Sequence, residues 1–360
     1  MEGELKEVCL HESSFTTFVV LALNLPLDLE VHFNLYTVDI AIKTRGGIQM
    51  SMNVYNQRRS LMSYLFEKFI LLSGTKKNFS TRDNTRKHID QVGLENIKPY
   101  QIGKVKLTSP RSEHSFEDMQ VFTLNDQHSD AQKVILYIHG GAHTHQPLSL
   151  HWKFMDTLAQ ALNAKVIAPI YPKVPHFNYQ HTYPRLLNLY REILESVQAP
   201  SQLTIMGDSA GGNISLSLAH YIQMNHLPQP KDIILLSPCV DMVLDNPLIF
   251  DYESRDPMLA VEGYDVIRQI WAADKSLDDP LISPIYGDFE GLGKITMFVG
   301  THEGLFPDIM KLDKMLTDQA IDHHTFVYPK MNHVFVLYPI PEAKDAQRKI
   351  IDIIKHQPVA

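Results

Sequence analysis

Short apolar runs alternate along this chain with stretches whose apolar residues recur at helical spacing. Runs of about five apolar residues are typical of strands that are buried on both faces of a sheet. In residues 183–197 the apolar positions share one helical face, at Leu186, Tyr190, Ile193 and Val197. The alternation predicts right-handed βαβ units and an α/β fold, with a mostly parallel sheet and helices on both faces. The predicted strands are 133–138, 165–170, 202–206, 232–236, 294–299 and 324–328, and the predicted helices are 151–163, 183–197, 209–224, 309–316 and 342–355.

Other regions break this alternation. Residues 102–108 and 116–123 predict two strands that form an antiparallel hairpin at the start of the sheet. Residues 60–92 begin with apolar positions at helical spacing, which predicts an amphipathic helix. Bulky apolar side chains interrupt the pattern in 245–280, and we predict that this region forms a helical lid.

The first 50 residues differ from the rest. Their apolar stretch 15–27 is too short to cross a bilayer and is interrupted by a proline, and the charges before it are mostly acidic. We therefore interpret the stretch as neither a transmembrane helix nor a signal peptide. We predict that residues 1–50 are an atypical extension before a domain over 51–360. One hypothesis is a translated upstream extension, with the working start at Met50 or Met52.

The composition narrows the classes of function. Hydrophobic residues make up 44% of the chain and charged residues 21%, as in globular proteins. The net charge of −8, without a basic cluster, argues against nucleic-acid binding. Two cysteines, Cys9 and Cys239, are too few for a disulfide framework, so a cytoplasmic location is the simplest interpretation. We expect no stable insertion into a membrane.

A serine stands between small residues directly after an apolar run. Residues 207–212 read Gly-Asp-Ser-Ala-Gly-Gly. In a Gly-x-Ser-x-Gly turn the chain passes from strand to helix so sharply that a Cβ at either glycine would clash. The turn exposes the serine hydroxyl above the edge of the sheet, at the N-terminus of the next helix. Ser209 is therefore the candidate nucleophile, and the alternative is a glycine-rich turn with a helix-capping serine.

A glycine pair follows the apolar run 133–138. Residues 139–143 read His-Gly-Gly-Ala-His, and such a loop leaves backbone N–H groups free to approach a ligand. Together with the amide that follows the nucleophile, these donors can stabilise the oxyanion formed in acyl transfer. Gly141, Ala142 and Ala210 are the candidate donors, and an ordinary Gly-Gly turn is the alternative.

Two carboxylates follow the run 294–299, where an acid that orients a histidine is expected. Asp308 comes directly after Pro307 and begins a helix, where an acidic side chain usually interacts with the helix dipole. We therefore favour Glu303 and keep Asp308 as the alternative.

The candidate general base is one of 18 histidines. A base that takes and returns the serine proton needs a pKa near neutrality, which histidine supplies. His333 lies in the loop after the last predicted strand, and His143, His145, His323 and His324 are competitors. We favour His333 because serine, acid and histidine then follow one another in the chain order of α/β-hydrolases. A surface histidine without a catalytic role is the alternative.

Together these motifs resemble the hormone-sensitive-lipase family of α/β-hydrolases, whose bacterial members are called family IV esterases. The similarity extends from about residue 60 to the C-terminus. It rests on His139-Gly-Gly, on residues 207–212, on the segment around Glu303 and on Met331-x-His-x-Phe. The segments Asp256-Pro-Met-Leu and Asp279-Pro-Leu-Ile-Ser-Pro are also similar to that family.

The chain departs from the family pattern in three places. Ala142 replaces the third glycine of the usual His-Gly-Gly-Gly, although its backbone N–H remains. Glu303 replaces the usual aspartate, and its extra methylene moves the carboxylate. The family's Tyr-Arg-Leu-Ala-Pro-Glu is replaced by Tyr171-Pro-Lys-Val-Pro-His.

The resemblance implies an α/β-hydrolase fold with cap elements at about 60–92 and 245–280. It implies a serine hydrolase that cleaves carboxylic esters of short to medium acyl chain through an acyl-enzyme, with a triad of Ser209, Glu303 and His333. A small-molecule ester is the expected partner, and family members often form homodimers. The alternatives are a non-catalytic ligand-binding protein on this fold, and an amidase or peptidase with the same triad.

We expect neither a cofactor nor a metal. His143 and His145 could form a two-histidine pair, but no matching set of carboxylates or cysteines accompanies them in the sequence.

Overall fold

The computed structural model describes residues 28–33, 37–43 and 49–357, with side chains described from residue 51 onward. The apolar stretch 15–27 and Cys9 lie outside these residues. The strands are β1 (Asp28–Phe33), β2 (Thr37–Lys43), β3 (Gln49–Tyr55), β4 (Arg111–Phe116), β5 (Met119–Leu124), β6 (Val134–Ile138), β7 (Lys165–Pro169), β8 (Leu203–Asp208), β9 (Asp232–Leu236), β10 (Lys294–His302) and β11 (His323–Asn332). The α-helices are α1 (Leu61–Ser73), α2 (Arg82–Asn96), α3 (Ser149–Leu162), α4 (Tyr179–Glu195), α5 (Ala210–Met224), α6 (Ile249–Glu253), α7 (Val261–Ala272), α8 (Phe306–Asp318) and α9 (Pro341–Lys355).

The described strands form one sheet in the order β1-β2-β3-β11-β10-β9-β8-β6-β7-β5-β4. The pairs from β3 through β11 to β7 are parallel. The two edges are antiparallel, with β1–β2–β3 on one side and β7–β5–β4 on the other. The predicted α/β fold class with a mostly parallel sheet is confirmed.

The central strands are buried on both faces because alternate side chains enter two different cores. In β6, Ile135 and Tyr137 belong to a core with α3 and α9, whereas Leu136 and Ile138 belong to a core with α4 and α5. A third cluster joins α5 and α8 to β9 and β10. This three-layer packing places the carboxyl ends of the parallel strands β6, β8, β10 and β11 next to one another, along the side of the sheet where these strands end. None of the helices in the described residues is both long and apolar enough to span a bilayer.

An antiparallel hairpin is present, as predicted, but the predicted position of its first strand is wrong. That strand is Arg111–Phe116, whereas residues 102–108 form no strand. The backbone N–H groups of Thr108 and Ser109 instead donate to the carboxylate of Asp156, each at 2.8 Å. Strand β4 is polar and almost wholly exposed, so apolar periodicity carries no signal of it.

Strand β3 crosses the predicted boundary between residues 50 and 51. Met50 and Met52 pair in parallel register with His323 and Thr325 of β11, and β1 and β2 continue the sheet beyond β3. The division into an extension and a domain remains a prediction, and residues 1–27 lie outside the described part.

The two predicted cap regions contact each other. A Cβ on Gly263 of α7 would lie 2.1 Å from Oγ1 of Thr85 in α2, so these helices pack as closely as a glycine allows. Lys76 Nζ also donates to the carbonyl oxygens of Glu253 and Asp256, at 2.5 and 2.9 Å. Segments that are far apart in sequence therefore form one layer.

Candidate active site

Ser209 lies at the turn between β8 and α5 in a strained backbone conformation, with φ 54° and ψ −120°. A Cβ on Gly207 would lie 2.3 Å from the carbonyl oxygen of Gly211, and a Cβ on Gly211 would lie 2.0 Å from that of Ile138. Both positions therefore require glycine. The Ser209 side chain makes no capping hydrogen bond to α5. The helix-capping alternative does not apply.

The structure brings Ser209, His333 and Glu303 together. Ser209 Oγ lies 2.8 Å from His333 Nε2, and His333 Nδ1 lies 2.7 Å from Glu303 Oε2. The other oxygen, Oε1, accepts the N–H of Gly300 at 2.9 Å. Glu303 is fully buried and His333 almost fully. One carboxylate oxygen is thus fixed by a hydrogen bond from β10, and the other orients the imidazole of His333.

The surroundings of His333 favour its protonated form. Burial is the largest influence and by itself lowers the pKa of His333. The hydrogen bond and charge of Glu303, with the charges of Asp256 and Asp208, outweigh burial and raise the pKa above its usual value. The imidazole can therefore accept a proton and keep it as a stabilised cation.

Asp308, the alternative acid, does not contact His333. It lies in the first turn of α8, where its Oδ1 accepts a hydrogen bond from Asn246 at 2.8 Å. Burial raises the pKa of Asp308 to about 6. This carboxylate therefore lies at the N-terminus of α8, as its position after Pro307 predicts, and not beside the imidazole.

The candidate oxyanion donors lie in the loop after β6 and at the start of α5. Gly141 and Ala142 have φ 117° and 53°, and Ala210 begins α5 directly after Ser209. Among the described residues, none of their N–H groups donates to a protein acceptor. Ala142 and Ser209 line the same cavity. The three N–H groups are therefore free to donate to a ligand oxygen.

A buried network around Asp208 holds the loop that carries these amides. Asp208 Oδ1 accepts from Tyr137 Oη at 2.7 Å and from the N–H of Gly140 at 3.0 Å, and Oδ2 lies 3.1 Å from His151 Nε2. A Cβ on Gly140 would lie 2.3 Å from Oδ2. Burial acts to raise the pKa of Asp208, but the charge and hydrogen bond of His151 and the other donors lower it. Sequence reasoning missed this network, although Asp208 stands within the serine motif.

Asp256 connects the lid to the loop that carries Glu303. Its Oδ2 accepts the N–H of Gly304 at 2.8 Å, and its Oδ1 accepts those of Met258 and Leu259 at 2.7 and 2.9 Å. The Asp256-Pro-Met-Leu segment therefore connects the lid to the loop that follows β10 and carries Glu303.

Two of the competing histidines, His143 and His145, have partners other than Ser209. His143 lies between Tyr264 Oη and Asn213 Oδ1, at 2.9 and 3.3 Å. His145 Nε2 lies 2.8 Å from His88 Nε2. In the part of the chain that the structure describes, no group of three His, Cys, Asp or Glu side chains could hold a metal ion.

An apolar cavity of about 60 Å³ lies above Ser209. Both cap regions contribute to it, together with the loops that follow β6 and β10. The lining includes Phe79, Ala142, Cys239, Leu259, Val261, Tyr264 and Leu305. A bound group in this cavity would contact hydrocarbon on most sides and the hydroxyl of Ser209 at its base.

This fold and site agree with comparisons to known proteins. A family model described as the alpha/beta hydrolase fold matches residues 135–337. The chain belongs to the α/β-hydrolase fold family. This hydrolase is 28% identical to an esterase from Acinetobacter venetianus, over 62% of its own length and 75% of that relative.

Solved structures agree with that assignment. The hydrolase is 30% identical to a candidate esterase from Staphylococcus aureus, with a TM-score of 0.75 over 81% of this chain and 100% of the other. An esterase of the bacterial hormone-sensitive lipase family has the same fold, at 22% identity and a TM-score of 0.70 over 84% of this chain and 99% of the other. The predicted membership of the α/β-hydrolases and the carboxylesterase type of enzyme are confirmed.

Proposed function

We propose that this hydrolase transfers the acyl group of a carboxylic ester to water through an acyl-enzyme on Ser209. His333 Nε2 takes the serine proton as Oγ attacks the carbonyl carbon, and Glu303 stabilises the resulting imidazolium. His333 then gives this proton to the leaving alkoxide, and the alcohol departs.

The second half of the reaction repeats the same roles with water. His333 takes a proton from water, the hydroxide attacks the acyl carbon, and the proton returns to Ser209 as the carboxylic acid leaves. The N–H groups of Gly141, Ala142 and Ala210 bind the oxyanion in both halves. Their lack of protein acceptors supports this role, because a donor that is already paired has no proton free for the oxyanion.

The cavity supports a short acyl group. About 60 Å³ corresponds to the space of roughly two water molecules, which admits a small acyl chain and excludes a long one unless the cap moves. A relative from Streptomyces hygroscopicus, 25% identical over 59% of this chain and 72% of that protein, is an acetyl-hydrolase. We infer that acetyl esters are preferred over esters of longer acyl chains.

The hydrogen-bonded series Ser209–His333–Glu303 carries this proposal, and Ser209→Ala tests it. We expect kcat for p-nitrophenyl acetate to fall by about 10⁵-fold or more, with an unchanged circular dichroism spectrum. Ser112→Ala on the exposed strand β4 is the control and should keep full activity.

A fluorophosphonate probe separates this enzyme from a ligand-binding protein on the same fold. Covalent labelling of Ser209 is expected, because the phosphonyl group reacts with an activated serine. An unlabelled wild-type protein that also lacks esterase activity would favour the binding protein.

A further inference from the structure

A second and larger cavity, of about 370 Å³, lies apart from the one above Ser209 and shares no lining residue with it. It is formed by the end of α2, the start of β5 and the segment 170–177. Met119, Tyr171 and Lys173 are its buried lining residues. A volume of this size matches binding sites for small molecules.

Lys173 is the unusual feature of this cavity, because its side chain ends in a basic amino group and yet the residue is only 3% exposed. Its Nζ donates to Gln146 Oε1 at 3.0 Å and lies 4.7 Å from the centre of the Tyr171 ring. Within residues 51–357, no carboxylate lies at ion-pair distance from it. Burial lowers the pKa of Lys173 to about 7. A buried cation without a counter-ion is costly, and the lowered pKa of Lys173 reflects that cost; an anion beside Nζ would stabilise the ammonium form.

The rest of the lining is also positive. Arg185 and Lys98 line the cavity, against Asp118 as the acidic member of the lining. Arg185 donates to the carbonyl oxygens of Glu117 and His181, at 2.9 and 3.0 Å, and has no carboxylate partner among the described residues. Lys98 is paired with exposed Glu95, outside the lining. Neither Lys173 nor Arg185 therefore forms an ion pair with a carboxylate among the described residues.

We propose that this cavity binds a small organic anion, whose carboxylate or phosphate group pairs with Lys173 and whose body lies against Tyr171 and Met119. In its protonated form Lys173 has two further donors for the anion, because one of its three N–H groups is used by Gln146. Arg185 supplies a second positive charge within the same lining.

The site also lies against the loop that carries the oxyanion donors. Gln146 belongs to the loop after β6, and Tyr171 Oη donates to the carbonyl oxygen of His139 at 2.9 Å. The N–H of Val174 donates to the carbonyl oxygen of His143, also at 2.9 Å. The segment that holds Lys173 is therefore bonded to both ends of the sequence that contains Gly141 and Ala142.

Isothermal titration of the full chain tests the proposal directly. The probes are acetate, butyrate and benzoate in one arm, and inorganic phosphate and glycerol 3-phosphate in the other, at constant ionic strength. We expect saturable one-to-one binding in at least one arm, and the arm that binds identifies the anion class. Lys173→Met should weaken that binding by about tenfold or more, the effect of losing a charged hydrogen bond.

Two further variants make the result specific. Lys344→Met, an exposed lysine on α9, is the matched control and should bind as the wild type does. Arg185→Met should weaken binding several-fold, and it tests the site even if Lys173→Met does not fold. Absence of binding by every probe at about 10 mM would overturn the proposal. Binding that is equally strong in both Lys173→Met and Arg185→Met would overturn it too, because the anion would then bind elsewhere, such as at Ser209.

Discussion

His333 Nε2 lies 2.8 Å from Ser209 Oγ, although 124 residues separate the two in the chain. The two residues follow the carboxyl ends of the parallel strands β8 and β11, which lie on the same side of the sheet with β9 and β10 between them. The imidazole therefore reaches the serine only in the folded sheet. The proposed chemistry depends on the protonation state of His333, which Glu303 controls.

Glu303→Gln should lower kcat by about 10⁴-fold, because the amide neither stabilises the imidazolium nor fixes the imidazole tautomer. The base must be neutral, so kcat/KM falls as pH drops through the pKa of His333. Glu303 raises that pKa, so its removal should move the acidic limb of the kcat/KM profile to lower pH. Asp308→Asn is the control, and an equal loss of kcat in that variant would make Asp308 the acid.

Asp208→Asn should destabilise the fold by about 3 kcal/mol at neutral pH, because it leaves His151 without its buried charged partner. The folded pKa of Asp208 is lowered, so its contribution to stability is present above the unfolded value near 4 and is lost as pH falls through the folded pKa. The difference in urea midpoint between wild type and variant should shrink below pH ~4. A difference that is constant with pH would argue against an ionised Asp208 in the folded protein.

Gly211→Ala should cost about 3 kcal/mol or more, because the new Cβ would meet the carbonyl oxygen of Ile138 at 2.0 Å. Gly74→Ala is the matched control. Gly74 has φ 72° with no atom near its absent Cβ, so only backbone strain of about 1 kcal/mol applies. Chemical denaturation measures both, and similar losses would mean that the turn after Ser209 relaxes around a side chain.

Leu259→Ala should shift the substrate preference toward longer acyl chains, because it enlarges the cavity above Ser209. We expect the ratio of kcat/KM for hexanoate to that for acetate esters to rise about tenfold. Leu248→Ala, an exposed leucine of the same lid region that does not line the cavity, should leave the ratio unchanged. If both variants keep the wild-type ratio, the acyl group lies outside this cavity.

Some features of the candidate site could be predicted because they depend on neighbours in sequence. The turn at Ser209 needs glycine within two residues on either side, so its motif is visible in the chain. The histidine could be chosen by chain order, and its distance to Ser209 agrees with that choice. The network of Asp208, Tyr137 and His151 could not be predicted, since nothing local distinguishes these residues from other buried polar ones.

The sequence by itself determined the α/β fold class and the strand-to-helix turn at Ser209, since apolar periodicity and glycine spacing are local consequences of burial and steric contact. Only the tertiary structure decided that Glu303 rather than Asp308 contacts His333, where the exposed strand β4 lies, and how small the cavity under the cap is. Those features depend on distances between segments that are far apart in the chain. Such distances arise when helices and strands pack, and no periodicity along the chain records them.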